Sequence, residues 1–270
     1  MTRTTQGQTE EIRAFWEQQA RTHRGESLAT NPDRYGHELE IQTFIKHLAD
    51  FPEKNRLLDV GCGNGHITIE LARRLPNIVI QAGDYSQEMI ANARVKLAAQ
   101  AEQLQRRVTF AHLDILTVNP AFVGQFDLVI TSRCLINLTS FEQQKTAIDT
   151  IREYLRPGGI YLMNENLIQG HDRVNEFRAL LGLPEIPVRW HNLYFDQDQL
   201  LPFLEQRFTL LEIDHFESTY VLSSRVLNAA LTPEGQPPSY EATINLLSSK
   251  LPAVGDLGPT KMIVLRKGSS

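Results

Sequence analysis

From Arg56 onward, short β-branched and aliphatic runs alternate with helix-length stretches, and that alternation leaves few folds open to the chain. Strands joined by helical crossovers pair in parallel, because the helix carries the chain back over the sheet before the next strand begins. Both faces of such a sheet are covered, so its strands read as nearly continuous apolar runs. Strands are expected at residues 56–60, 78–84, 108–114, 126–132, 159–165, 208–214 and 261–266, which makes seven. Helices are expected at 66–75, 87–100, 141–155 and 197–206. Two of these open with a capping pair, Ser140 with Gln143 and Asp196 with Gln199, in which side chain and backbone satisfy each other's exposed groups. The helix at 141–155 has to stop at Arg156-Pro157-Gly158-Gly159, since proline cannot continue it and glycine tolerates the reversal.

Three stretches interrupt the alternation. Residues 10–50 read as a helix at 12–20, a polar loop with Asn31-Pro32-Asp33, and a helix at 38–48. Residues 166–195 follow the fifth strand, and residues 217–260 separate the last two strands with helix-like runs at 220–231 and 240–251. The expected division is an N-terminal helical cap at 1–50 and an α/β domain at 51–270 carrying lid insertions at 166–195 and 217–260. Both insertions leave from the carboxyl ends of the strands if the final strand is antiparallel, and they then overhang the edge where open α/β sheets bind ligands.

Composition narrows the partners. The 270 residues, 41% of them hydrophobic, suffice for one large folded domain. The longest uninterrupted apolar runs, at 160–163 and 262–265, fall far short of the roughly 20 residues needed to cross a bilayer. The opening residues carry neither a secretory nor a transit pattern, so the expected compartment is the cytoplasm, with no membrane partner. Two cysteines, Cys62 and Cys134, cannot build a disulfide framework or a cysteine-rich zinc site. With 27 basic against 32 acidic residues the net charge is −5, and no basic stripe stands ready to neutralise phosphates, so nucleic acid is not an expected partner.

Leu57-Leu58-Asp59-Val60-Gly61-Cys62-Gly63-Asn64-Gly65-His66 is a buried strand running through a glycine-rich turn into a helix. Such a turn lets backbone approach a ligand closely and presents helix N-terminal amides. A dinucleotide fingerprint requires G-x-G-x-x-G, whereas here His66 occupies the third glycine's place and Asp59 sets a carboxylate before the loop. That carboxylate repels phosphates and suits an ammonium group. About 20 residues after the loop, Asp84 ends the next strand, where an acceptor can hold both ribose hydroxyls. Asp114 ends the third strand and can accept from an adenine amino group.

In this order and spacing, Asp-Val-Gly-Cys-Gly-Asn-Gly, Gly-Asp-Tyr-Ser-Gln-Glu-Met-Ile, Leu-Asp-Ile, Phe-Asp-Leu-Val-Ile-Thr-Ser and Leu-Arg-Pro-Gly-Gly resemble the class I S-adenosylmethionine-dependent methyltransferase family. The resemblance covers residues 56–165 well and the last two strands loosely. It implies a Rossmann-like seven-stranded sheet, mostly parallel with the last strand antiparallel, helices on both faces, and S-adenosylmethionine as cofactor. By position it implies Asp59, Gly61, Cys62 and Gly63 around the methionine end. Asp84 and Tyr85 fall at the ribose, and Met89, Asp114 and Ile115 at the adenine. Ser132-Arg133 offers backbone to the methionine moiety. Apart from the resemblance, Trp16 and Tyr35 of the N-terminal segment are expected to close over the cofactor.

Base-modifying enzymes of this fold carry an Asn/Asp-Pro-Pro-aromatic tetrad after the fourth strand, where this chain has Ser132-Arg133-Cys134-Leu135. No carboxylate cluster suited to a hard cation is visible, so no metal is expected. The acceptor is then expected to be an oxygen or nitrogen of a small organic metabolite, in a monomer or homodimer. The alternatives are a non-catalytic cofactor-binding module and, behind it, a dinucleotide-dependent oxidoreductase. An alcohol acceptor benefits from a general base. His191, within the mixed aromatic and polar run Arg189-Trp190-His191-Asn192-Leu193-Tyr194, leads the candidates. His171 and Glu165 follow, with His23 and His37 from the cap, while Arg178 and Arg225 are candidates for binding an anionic substrate group.

Overall fold

A computed structural model describes residues 5–23 and 32–269; Asn31 of the expected polar loop lies outside them. Two helices come first, α1 (Thr5–Thr22) and α2 (Arg34–Ala49). The alternating part then runs β1 (Arg56–Val60), α3 (His66–Arg74), β2 (Val79–Asp84), α4 (Gln87–Ala98), the short α5 (Glu102–Gln105) and β3 (Val108–His112). It continues with β4 (Phe126–Ser132), α6 (Phe141–Tyr154), β5 (Leu155–Asn166), α7 (Ile168–Leu180), α8 (Gln197–Glu205) and β6 (Phe208–Asp214). A run of helical turns, α9 (Ser218–Val221), a π turn at Leu222–Leu227 and α10 (Asn228–Leu231), leads to α11 (Thr243–Ser248) and β7 (Thr260–Lys267). No described helix is long and apolar enough to cross a membrane.

The strands form one seven-stranded sheet in the order β3-β2-β1-β4-β5-β7-β6. All pairings from β3 to β5 are parallel, and β7 is antiparallel to both its neighbours, as the sequence led us to expect. Successive side chains of a strand point to opposite faces, and the core divides accordingly. Leu57, Leu128, Ile130, Ile160 and Leu162 pack under α2, α3 and α4. Leu58, Val129, Tyr161 and Met163 pack under α6 and α8. With both faces covered, the central strands β1, β4, β5 and β7 are buried at nearly every position, whereas the edge strands β3 and β6 are partly exposed.

Local signals end the helices where expected. Ser140 accepts from the Gln143 amide at the start of α6, and Gly158, at a left-handed φ of 70°, lies within β5 where its pairing with β4 shifts register. The strand order reverses between β1 and β4, and the crevice beyond their carboxyl ends is where ligands bind in such sheets. Both insertions emerge at that edge: 166–195 follows β5, and 217–260 joins the end of β6 to the start of β7.

Several details differ from the expectation, among them that α1 starts at Thr5 instead of 12 and β5 at Leu155 instead of 159. The 166–195 insertion begins with helix α7, although its sequence carries no capping side chain. Helix α2 starts four residues before the expected 38, at Arg34, because Asp33 caps it by accepting from the Gly36 amide at 3.0 Å. The expected helix at 240–251 shrinks to Thr243–Ser248.

Candidate active site

The loop after β1 depends on left-handed backbone at Gly61 (φ 73°), Gly63 (φ 52°) and Gly65 (φ 75°), which glycine adopts without a steric penalty. It is tied to β2 by Gly61 and Cys62 amides donating to the Gly83 carbonyl at 2.8 and 3.1 Å. The Gly63 amide donates to the Asp84 carboxylate at 2.9 Å, and the Ser86 amide donates to its other oxygen at 2.9 Å. A Cβ on Gly61 would strike the Cys134 side chain, and one on Gly65 would strike Phe110. A Cβ on Gly63 would meet nothing within 4 Å, so the tip of this loop faces open space.

That space is a cavity of about 400 Å³. Asp59 lines it, buried, accepting from the Thr68 hydroxyl at 2.6 Å, and burial pushes its carboxyl up to about 7. Asp84 is raised by burial too, against the two amides that favour its ionised form. Cys62, Tyr85, Met89 and Ile115 also line the cavity, and the Tyr85 hydroxyl is buried there with no hydrogen-bond partner. Asp114 is a lining residue whose carboxylate accepts from Arg13 of α1 at 2.5 Å and from the Leu116 amide at 3.1 Å. The Arg13 guanidinium lies over the Tyr85 ring, 5.4 Å from its centre. Trp16, one helical turn on, lines the cavity and donates to the Asn137 side chain at 3.0 Å.

Ser132 and Arg133 close the far side at the end of β4. Arg133 is a non-glycine residue at φ 49°, held by its amide donating to the Asn164 carbonyl at 2.8 Å. Its guanidinium donates to Glu40 of α2 at 2.9 Å.

Four expected site residues, Glu165, Tyr35, Arg178 and His23, do not line the cavity. Glu165 is wholly buried and accepts from the amides of Cys134, Leu135 and Ile136 at 3.0, 3.0 and 3.3 Å. It clamps the turn after β4, and burial pushes its carboxyl up to about 7. Tyr35 falls on the outer face of α2, under the Arg34 guanidinium at 4.7 Å. With the helix starting at Arg34, Asp33 and His37 turn inward in its place, and both line the cavity. Arg178 is likewise structural, donating to the carbonyls of Pro184 and Arg225.

His191 and His171 do line the cavity. The His191 ring is stacked on Phe15, centres 4.6 Å apart, with Trp16 and Trp190 edge-on at 5.4 Å each. Burial among these rings pushes it down to about 4, which leaves it neutral and a weak base at pH 7. His171 lies edge-on to Tyr194 at 5.4 Å, with Asn175 at 3.3 Å. Around them Asn166, Glu217, Tyr220 and Arg225 extend the lining. Arg225 and Tyr220 both bond to Asp33, fastening the 217–260 insertion to the start of α2.

A nucleoside with an amino-acid tail fits these residues better than a dinucleotide does. The open cradle at Gly63, the Asp84 carboxylate and the buried Tyr85 hydroxyl offer partners to it. Three carboxylates, Asp59, Asp84 and Asp114, would instead oppose a pyrophosphate.

Residues 57–159 match a family model described as "Methyltransferase domain". The release factor glutamine methyltransferase of Bacteroides thetaiotaomicron is 25% identical over 164 residues, which is 50% of this chain and 58% of that protein. The putative methyltransferase YqeM of Bacillus subtilis is 27% identical over 163 residues, 59% of this chain and 56% of that protein. The chain thus spans little more than half the length of these curated relatives. Among solved structures, magnesium protoporphyrin IX methyltransferase (ChlM) from Synechocystis PCC 6803, with bound S-adenosylhomocysteine, superposes with a TM-score of 0.61 at 13% identity. The superposition covers 96% of this chain and 99% of that one, and it shows a shared fold. Residues 57–159 thus resemble a methyltransferase domain, on a fold shared with a known methyltransferase.

Proposed function

We propose that the protein transfers a methyl group from S-adenosylmethionine to an oxygen or nitrogen of a small organic acceptor. The observation that carries this reading is one cavity shared by the glycine loop of β1 and by three segments outside the sheet. Those segments are the N-terminal helices, residues 166–195 and residues 217–260. Its volume of about 400 Å³ falls in the range of small-molecule sites.

In this reading Gly61 and Gly63 present backbone to the cofactor, Asp84 accepts from its ribose hydroxyls, and Met89 and Ile115 flank its adenine. Asp59 faces its amino group. Asp114 reaches the adenine edge once Arg13 gives way or shares it. S-adenosylmethionine supplies a methyl group made electrophilic by the sulfonium. The protein's task is to hold the acceptor in line with that methyl and to exclude water. Cap and insertions serve as the lid, fastened by the bonds of Asp33 to Tyr220 and Arg225 and by the aromatic cluster around His191.

The test is a host-cell extract incubated with the protein and methyl-labelled S-adenosylmethionine, then separated by size and analysed by mass spectrometry. Label in a low-molecular-weight product is the expected result. Label confined to macromolecules would replace the small acceptor with a protein or nucleic acid.

A further inference from the structure

Resting on that reading, we infer that His37 takes the acceptor's proton and that Glu40 holds its ring in place. Asp33, His37 and Glu40 are spaced four and three apart and occupy one face of α2, each no more than 4% exposed. The same face continues into the core through Ile41, Phe44 and Leu48. Polar groups are expensive to bury without a purpose, and this helix aims three ionisable ones at the ligand edge of the sheet.

His37 lines the cavity, and its Nδ1 lies 3.5 Å from Glu40 Oε2. Glu40 is fixed in turn: Oε2 accepts from Arg133 at 2.9 Å and Oε1 from Asn164 at 3.4 Å. Arg133 follows the last residue of β4 and lines the cavity, and Asn164 lies in β5. On its other side the His37 ring meets His66, the first residue of α3, edge-on at 5.6 Å. His37 therefore stands over the space between the glycine loop and the end of β4. A base oriented by a carboxylate that is itself held by a third group is the arrangement nucleophile-activating sites use, and it tightens when ligands bind.

In the step, a lone pair of the acceptor hydroxyl oxygen forms the new bond to the methyl carbon. The carbon–sulfur bond breaks and leaves its pair on sulfur. The hydroxyl proton passes to the ring nitrogen of His37 remote from Glu40, and the carboxylate faces the imidazolium that results. His191 is less fit for this role, its ring being enclosed by three aromatic neighbours.

The test uses two cofactor analogues, so the natural acceptor need not be known. S-adenosylhomocysteine has nothing where the methyl was, whereas sinefungin carries an amine there that donates to a base facing that point. Calorimetry on wild type, His37→Gln and Glu40→Gln is expected to show sinefungin weakened about tenfold or more in both variants, a charged hydrogen bond having been lost. S-adenosylhomocysteine is expected to bind all three alike. A crystal structure of wild type with sinefungin should place the amine within about 3.2 Å of His37. An amine remote from His37, no loss of sinefungin affinity, or equal loss of both ligands would overturn the inference. If a variant does not fold, the wild-type complex decides alone. Failure of the wild type to bind either analogue would instead remove the cofactor reading on which the inference rests.

Discussion

Replacing Gly61 by alanine tests the packing of the glycine loop against the turn after β4. The new Cβ would lie 2.6 Å from the Cys134 Cβ and closer still to its sulfur, at a backbone φ of 73°. The left-handed conformation costs a non-glycine residue about 1–2 kcal/mol. Forcing a methyl group into a filled site costs about 1–3 kcal/mol. Gly61→Ala should therefore destabilise the protein by about 2–5 kcal/mol in urea titrations followed by circular dichroism. Gly63→Ala is the control: its φ is 52° but its Cβ meets nothing within 4 Å, so only the backbone cost remains. Cys134→Gly in the Gly61→Ala background should recover part of the loss, giving a favourable coupling on the order of 1 kcal/mol. Equal destabilisation by the two alanines, or no coupling to Cys134, would refute the contact. Binding should rank the other way. Gly63→Ala, whose methyl group fills the open cradle, should weaken S-adenosylhomocysteine while disturbing stability less.

Two further predictions concern residues that the sequence reading placed among the catalytic candidates. Glu165→Gln should destabilise the fold by about 1–3 kcal/mol, because the turn after β4 loses an acceptor for its amides. It should also change the pH dependence. Glu165 titrates near 7 in the folded protein against 4.5 ordinarily, so the folded state binds its proton more tightly. Its contribution to stability is complete below pH 4.5 and fades as pH rises to about 7. Urea midpoints at pH 5 and pH 7 should differ less in that direction in Glu165→Gln than in wild type, and an unchanged difference would contradict the burial argument. His191→Ala removes ring contacts to Phe15, Trp16 and Trp190, each worth about 0.5–1.5 kcal/mol, and should loosen α1. A red shift of tryptophan emission would report it, and unchanged emission would show that the cluster does not hold the helix.

The sheet was legible because each of its signals is local. β1, β4 and β6 begin and end at the expected residues, since apolar runs bounded by turn residues declare a strand, whether central like β1 and β4 or at the edge like β6. The glycine loop and the carboxylates at the ends of β1 and β2 were equally readable, being fixed by strand ends. What depended on helix phase was not. Reading α2 from 38 left its first turn unassigned and let Tyr35 look inward; Asp33 as the cap brings Asp33, His37 and Glu40 to the inner face. That spacing, in line with Ile41, Phe44 and Leu48, was the available signal. Helix α7 escaped because Gly170 and an uncapped start argue against a helix. Its placement comes from tertiary packing, where a Cβ on Gly170 would collide with the Gly258 carbonyl. Glu165 misled because a carboxylate at a strand end reads the same whether it faces a ligand or the amides of a neighbouring turn.

The central claim is that the edge formed by β1, β2 and β4 holds S-adenosylmethionine. Isothermal titration of the protein with S-adenosylhomocysteine tests it most directly, with Asp84→Ala and a nicotinamide dinucleotide as comparisons. The account predicts saturable one-to-one binding, weakened about tenfold or more in Asp84→Ala, and no binding of the dinucleotide. Binding of the dinucleotide without S-adenosylhomocysteine, or an affinity indifferent to Asp84, would contradict it.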